Sequence, residues 1–359
     1  MDIKISSAQA IVLLFVCRMF YTVTYSPGAE EIQSSAIILG DVIAVFVTAI
    51  ILIPLFILMR KGAVIDIIHA SSSIAPTFGM IVSIYYLLLL ALEQINTVTH
   101  FTVFITNAVF PDISAILIII TFVLACMYGA YQGIEGIARA AGIIFVIFIV
   151  SILFIVTAAI PNTNWLNLRP LVGDYQRQVI SSILDNVSLN IEFVMFLLLF
   201  PKVKGSFNRI SFWYLTWSEI ALLIVGTTTV LVLGEYLTKQ VFPFYSIASI
   251  IESNVIQRLD AVHMALWVLV SYIKAAVYFY LLNDLAARLL KKQVKKLPLW
   301  VFAALVVIGS YLITQNYKSS ATVIEKVLGT TIPMLIAVLV IPVILLIAGK
   351  GKKIHHENS

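Results

Sequence analysis

Ser181–Pro201 reads S-S-I-L-D-N-V-S-L-N-I-E-F-V-M-F-L-L-L-F-P. The second half is a purely apolar helix. The first half carries Asp185, Asn186, Ser188, Asn190 and Glu192. Inside a bilayer an unpaired carboxylate costs several kcal/mol or more. On an ideal helix Asp185, Ser188 and Glu192 share one stripe, with Asn186 and Asn190 beside it. A membrane helix keeps such a face where it looks into a cavity lined by protein. The stretch therefore predicts a polar, substrate-sized site near the membrane midplane.

The rest of the chain agrees with a membrane setting. Of its 359 residues 61% are hydrophobic and 11% charged, and the mean hydropathy is +1.04. Apolar runs of about 20 residues recur, as spanning helices require. They lack the alternation of a barrel, so the fold class is an all-α polytopic membrane protein. Cys17 and Cys126 both fall within predicted spans and read as packing residues. The five histidines show no metal-ligand spacing with carboxylates. No cofactor or metal is expected, and no serine–histidine–aspartate grouping or phosphate-binding loop points to an enzyme. The net charge of +5 belongs to basic loops rather than to a nucleic-acid surface. The first residues lack the features of a cleaved signal peptide, so the first span is expected to be retained.

Hydropathy predicts a single membrane domain of ten spans, about 7–27, 35–58, 75–102, 113–131, 139–160, 180–200, 210–233, 261–287, 298–314 and 331–348, with a basic tail at 350–359. Residues 62–73 read as a short interfacial helix. Y-Q-G-I-E-G-I-A-R-A reads as a small loop between spans four and five, and 234–260 as a loop whose F-P-F-Y-S-I-A-S-I-I-E segment covers the bundle. With both termini cytoplasmic, most basic residues fall on that side: Lys4, Arg60, Lys61, Arg139 and the clusters at 202–209, 288–296 and 350–353. The other side keeps Arg169, Arg177, Lys239, Arg258, Lys318 and Lys326. That bias fits an even number of spans. Spans one and six are the two with polar, broken character. Five apart, they match a five-plus-five inverted repeat with discontinuous helices at the site.

The candidate ligand-binding residues are Thr22, Thr24, Tyr25, Ser26 and Gly28 around Pro27, and Ser188, Asn190 and Glu192 in span six. A helix end freed before Pro27 can hold an anionic group such as a carboxylate. The alternative is a kinked helix whose hydroxyls bond back to its own carbonyls. Glu192 can accept from a substrate ammonium, or serve an interhelical ion pair. Lys274, in W-V-L-V-S-Y-I-K-A-A-V-Y-F-Y, is too deep to snorkel. Its ammonium either takes the place of a coupling cation or pairs with Glu192 or Glu93. Glu93, Asn96 and Thr97 form a smaller patch with a structural reading, where Arg18 is expected to meet Glu93. Asp185 and Asn186 are expected at an entrance or cap.

Four segments together resemble the GerAB-type spore germination proteins, the B subunits of nutrient germinant receptors. They are Y-Q-G-I-E-G-I-A-R, N-W-L-N-L-R-P-L-V-G-D, N-I-E-F-V-M-F-L-L-L-F-P and Q-R-L-D-A-V-H-M-A-L-W-V-L-V-S-Y-I-K, in that order along essentially the whole chain. The resemblance implies the ten-helix, LeuT-like fold of the amino acid–polyamine–organocation transporter superfamily, with broken helices one and six. It implies a multi-pass protein of the spore inner membrane, both termini facing the spore core. Its implied partners are an A-type membrane subunit and a C-type lipoprotein, and its implied ligand is a small nutrient such as an amino acid. An amino acid permease with proton- or sodium-coupled transport is the alternative. Family members often carry glycines in the span-one break, where this chain has R-M-F-Y-T-V-T-Y-S-P.

Overall fold

The computed structural model describes residues 5–24, 34–60, 66–168, 176–251, 259–290, 297–315 and 331–348. Among them the chain is helical, with one isolated backbone bridge between Ile5 and Val203. Tyr25, Ser26, Gly28 and the basic tail lie outside the described residues.

Among the described residues seven helical stretches are long and apolar enough to cross a bilayer, and eight when one bent pair counts as a span. Their surfaces are inverted relative to a water-soluble protein. Phe46, Ile143, Val150, Trp217 and Ile347 are exposed, whereas Arg18, Glu93, Glu192 and Lys274 are buried. Apolar outside and ionic inside is the arrangement that lipid selects, since hydrocarbon solvates neither charges nor free backbone groups. The chain is a multi-pass membrane protein.

Helix α1 is Ser7–Thr24 and α2 is Ser34–Ile51, followed by α3, Ile53–Arg60. The α2–α3 axis bends by 42°. Pro54, in the first turn of α3, supplies no N–H, and its ring crowds the preceding turn. Helix α4, Ile67–Ile74, is capped by Asp66, whose carboxylate accepts from the N–H of Ile68 and His69. Pro76 then opens α5, Pro76–Phe104, which ends in a π turn, Ile105–Val109.

Helix α6 runs Ala115–Ala159, 45 residues. At about 1.5 Å per residue, that is twice the ~30 Å of hydrocarbon a span needs. It is two helices meeting at Gly133, whose φ of 83° and ψ of 171° no helix contains. That backbone region is open only to glycine. The stretch expected to form a loop is thus helical except at Gly133, and Glu135 and Arg139 pair along the second helix.

Helices α7, Gln176–Ser188, and α8, Glu192–Leu199, are separated by a three-residue break. Then come α9, Phe207–Leu233, the short α10, Pro243–Ile250, and α11, Leu259–Leu289. Two further stretches follow, α12, Leu297–Gln315, and α13, Thr331–Ala348, the latter with a π turn at Ile336–Val340. Helix α11 packs against α1, α5, α6 and α12, and α7 lies along α2. Phe244, Ile247 and Ala248 bury one face of α10 against the bundle.

Candidate functional site

The break Leu189–Ile191 interrupts a span, leaving backbone carbonyls without helical partners where no water can serve them. This chain supplies the donors itself. Arg18 reaches across from α1: Nη1 donates to the Leu189 carbonyl at 2.7 Å and Nη2 to Asn186 Oδ1 at 2.8 Å. Asn190 Nδ2 donates to the Asn186 carbonyl at 3.1 Å, and Ser188 Oγ to the Asp185 carbonyl at 2.6 Å. A cation thereby sits at the negative C-terminal end of α7. Glu192, first residue of α8, places an anion at that half-helix's positive end. Both dipole ends at the break are matched by charge.

Lys274 of α11 is 0% exposed. Its Nζ lies 3.0 Å from Glu192 Oε1 and 3.2 Å from Glu93 Oε1. It also lies 3.6 Å from the centroid of the Tyr21 ring. Two carboxylates and an aromatic face together replace the water that the ammonium loses. The Tyr21 hydroxyl donates to Glu93 Oε1 and accepts from Asn96 Nδ2. Helices α1, α5, α8 and α11 are thus joined through one ammonium.

An aromatic layer adjoins this cluster. Trp267 stacks on Phe101 and meets Phe104, with ring centroids 5.5 and 4.3 Å away. Its indole N–H donates to Thr24 Oγ1 at 2.6 Å. His263 packs among Phe104, Phe244 and Tyr245, one turn from Trp267 on α11.

The structure gathers most of the sequence candidates but rearranges them. Asp185, Ser188 and Glu192 do not form one stripe, because the helix breaks between Ser188 and Glu192. Thr22 and Thr24 donate to the carbonyls of Arg18 and Phe20, the back-bonded arrangement. Arg18 meets the break rather than Glu93, and Lys274 takes both Glu93 and Glu192. Asn186 is buried and bridges Arg18 to Asp41, accepting from Arg18 and donating to Asp41 Oδ1 at 3.2 Å.

Asp41 in α2 and Glu219 in α9 are buried acids that sequence reasoning passed over. Each interrupts an apolar span, G-D-V-I-A-V and S-E-I-A-L-L, and that was signal enough. Tyr21 and Trp267 carried no such mark. Among the described residues the buried acids outnumber the buried lysine and arginine, with Asp41, Glu93, Glu192 and Glu219 against Arg18 and Lys274. An interior with that balance attracts cationic groups. No group of three or more histidine, cysteine, aspartate or glutamate side chains suited to a metal occurs among the described residues.

A family model described as spore germination protein matches residues 4–318. No curated protein matches the sequence. Among solved structures, the chain is similar to the substrate-bound outward-open state of a Na+-coupled sialic acid symporter. That similarity has a TM-score of 0.61 at 12% identity and covers 94% of this chain and 79% of that one. At this identity the likeness establishes the fold alone, that of the symporter.

Proposed function

This chain belongs to the spore germination protein family, and from that premise we propose that it is the B subunit of a nutrient germinant receptor. It binds a small nutrient, an amino acid, at the break between α7 and α8, and passes occupancy to an A-type membrane subunit and a C-type lipoprotein. Its place is the spore inner membrane, with both termini toward the spore core. The ten-helix, five-plus-five repeat belongs to the same reading. It counts α2–α3 as one span, α6 as two spans meeting at Gly133, α7–α8 as one broken span and α12 as another.

One observation carries the ligand assignment. Asn190 Oδ1 and Glu192 Oε2, both fully buried at the break, have no hydrogen-bond donor. A buried acceptor without a donor costs about 1–3 kcal/mol, more when charged. An ammonium offers the donors both oxygens lack, and the acid excess around them draws it in. The pair is closed off here, so admitting a ligand requires α7 and α8 to move relative to α1. Such a movement is a signal that neighbouring subunits can read.

The test is germination of spores carrying Glu192→Gln or Asn190→Ala, dosed with single amino acids. Each variant is expected to need about tenfold more nutrient while membrane levels of the protein match wild type. An unchanged dose response at normal protein level refutes the site. The symporter-like fold supports a second reading, coupled transport of the same ligand. Saturable uptake into proteoliposomes containing the chain alone would establish that alternative.

A further inference from the structure

A cavity separate from the Lys274 cluster lies between α1, α2, α7, α9 and α10. It comprises about 560 Å³ of space between side chains, part of it open to the outside, and is lined by Thr22, Asp41, Asn186 and Thr229 together with apolar residues, Leu189 among them. Leu222, Val225, Val230, Leu237 and Phe244 make most of the apolar wall. We propose that this cavity is a second binding site, for a small amphiphilic amine that lacks a carboxylate, with Asp41 receiving the ammonium.

The lining offers mainly acceptors, and its hydroxyls are committed to backbone carbonyls. Thr22 Oγ1 donates to the Arg18 carbonyl and Thr229 Oγ1 to the Val225 carbonyl at 2.7 Å, leaving lone pairs to face the cavity. The Asn186 amide is engaged at both ends, its oxygen by Arg18 and its nitrogen by Asp41. Asp41 is 7% exposed. Its Oδ1 takes the Asn186 amide, while Oδ2 lies 3.6 Å from the point a Cβ on Gly226 would occupy across the cavity. Ser182 Oγ of α7 donates to the Ile37 carbonyl at 3.3 Å beside the carboxylate, and Arg18 and Glu219 are charged groups that act on it. Arg18 is held at the break by Leu189 and Asn186 and is not part of the lining.

A ligand entering here must therefore donate, and a charged donor is best matched to the one carboxylate. The rest of the wall suits a compact hydrocarbon body. A ligand carboxylate finds at most the second N–H of Asn186 Nδ2 and would meet Asp41 as a like charge. Leu189 of the break also lines the cavity, so the two sites adjoin and differ in the acceptor used: Asp41 here, and the Asn190 and Glu192 oxygens, which are not in this lining, at the break. The bare Cα of Gly226 is part of the design: a larger side chain there projects into the cavity beside Asp41 Oδ2.

The experiment uses full-length protein in lipid nanodiscs, with isopentylamine as probe and isopentanol and isovalerate as isosteric controls, read by saturation-transfer NMR. Saturable binding of the amine alone is expected. Asp41→Asn weakens it about 10- to 100-fold, and Gly226→Leu abolishes it by filling the space. Glu192→Gln, at the nutrient site, leaves it unchanged. Equal binding of isopentanol or isovalerate overturns the proposal, as does wild-type affinity in Asp41→Asn. Loss in Glu192→Gln with retention in Asp41→Asn would place the amine at the break instead. Should Asp41→Asn fail to accumulate, Gly226→Leu decides, since it keeps the carboxylate: loss supports the cavity and retention refutes it. The germination dose response of Glu192→Gln tests the nutrient site independently.

Discussion

Replacing Lys274 by methionine removes one ammonium and keeps most of the side chain's apolar bulk. In the native protein Nζ lies 3.0 Å from Glu192 Oε1 and 3.2 Å from Glu93 Oε1, so those two oxygens lie within about 6 Å of each other. Without the cation they repel by roughly 3 kcal/mol at an effective dielectric constant near 20. Breaking a buried ion pair by deleting one partner costs about 3–5 kcal/mol in general, which agrees. The cation–π contact with Tyr21 is lost as well, adding about 1–2 kcal/mol. Thermal unfolding of the purified protein in detergent, with membrane abundance alongside, should show a large loss for Lys274→Met. Adding Glu192→Gln to that variant removes the repulsion and should recover about 2–3 kcal/mol. In the wild-type background the same Glu192→Gln should be neutral or destabilising, because Lys274 then keeps only Glu93. A sign reversal between backgrounds is the signature of the triad. Wild-type melting of Lys274→Met, or additive losses in the double variant, would refute the reasoning.

Two other substitutions test different parts of the fold. Gly133→Ala forces a Cβ into a backbone conformation reserved for glycine and should cost about 1–3 kcal/mol. Gly142→Ala, helical and with open space around it, should be neutral or slightly stabilising, and equal melting of the two variants would contradict the strain at residue 133. Asp284→Asn removes the acceptor shared by Lys202 and Arg288 in the ionic chain that runs on to Asp66. These groups are partly exposed, so the loss should be about 1 kcal/mol and shrink as salt is raised; a large, salt-independent loss in a melting series would mean the chain is sealed from water.

Much of the site could be read from residue type alone. Glu93, Glu192, Arg18 and Lys274 announce themselves because a charge within an apolar run must find a buried partner. Periodicity could not say which partner. Sequence alone points Arg18 to Glu93, yet it caps the Leu189 carbonyl at the α7 break, because a guanidinium offers several donors in a fixed fork that serves a carbonyl and an amide at once. The stripe of Asp185, Ser188 and Glu192 failed for a related reason. An ideal-helix projection assumes continuous helix, and the three residues Leu189–Ile191 depart from it. Asp41 and Glu219 are as visible as Lys274 and carry the same cost of burial, but each stands as the lone charge in its apolar run, without the neighbouring amides that mark spans three and six.

The sequence by itself determined that this is a helical membrane protein, and that its polar interior centres on spans one, three, six and eight. Hydrocarbon admits helices of a minimum length and expels charge from lipid-facing surfaces, so composition and spacing suffice for both. Only the tertiary structure decided that Lys274 bridges Glu93 and Glu192, that Arg18 crosses from α1 to the break, and that a cavity beside Asp41 opens on the far side of α7. Lys274 and Glu93 lie 181 residues apart, and Arg18 and Leu189 171, in a chain of 359. Their distances depend on how the helices rotate and cross, which is fixed by packing over whole helix faces and not by any local run of residues.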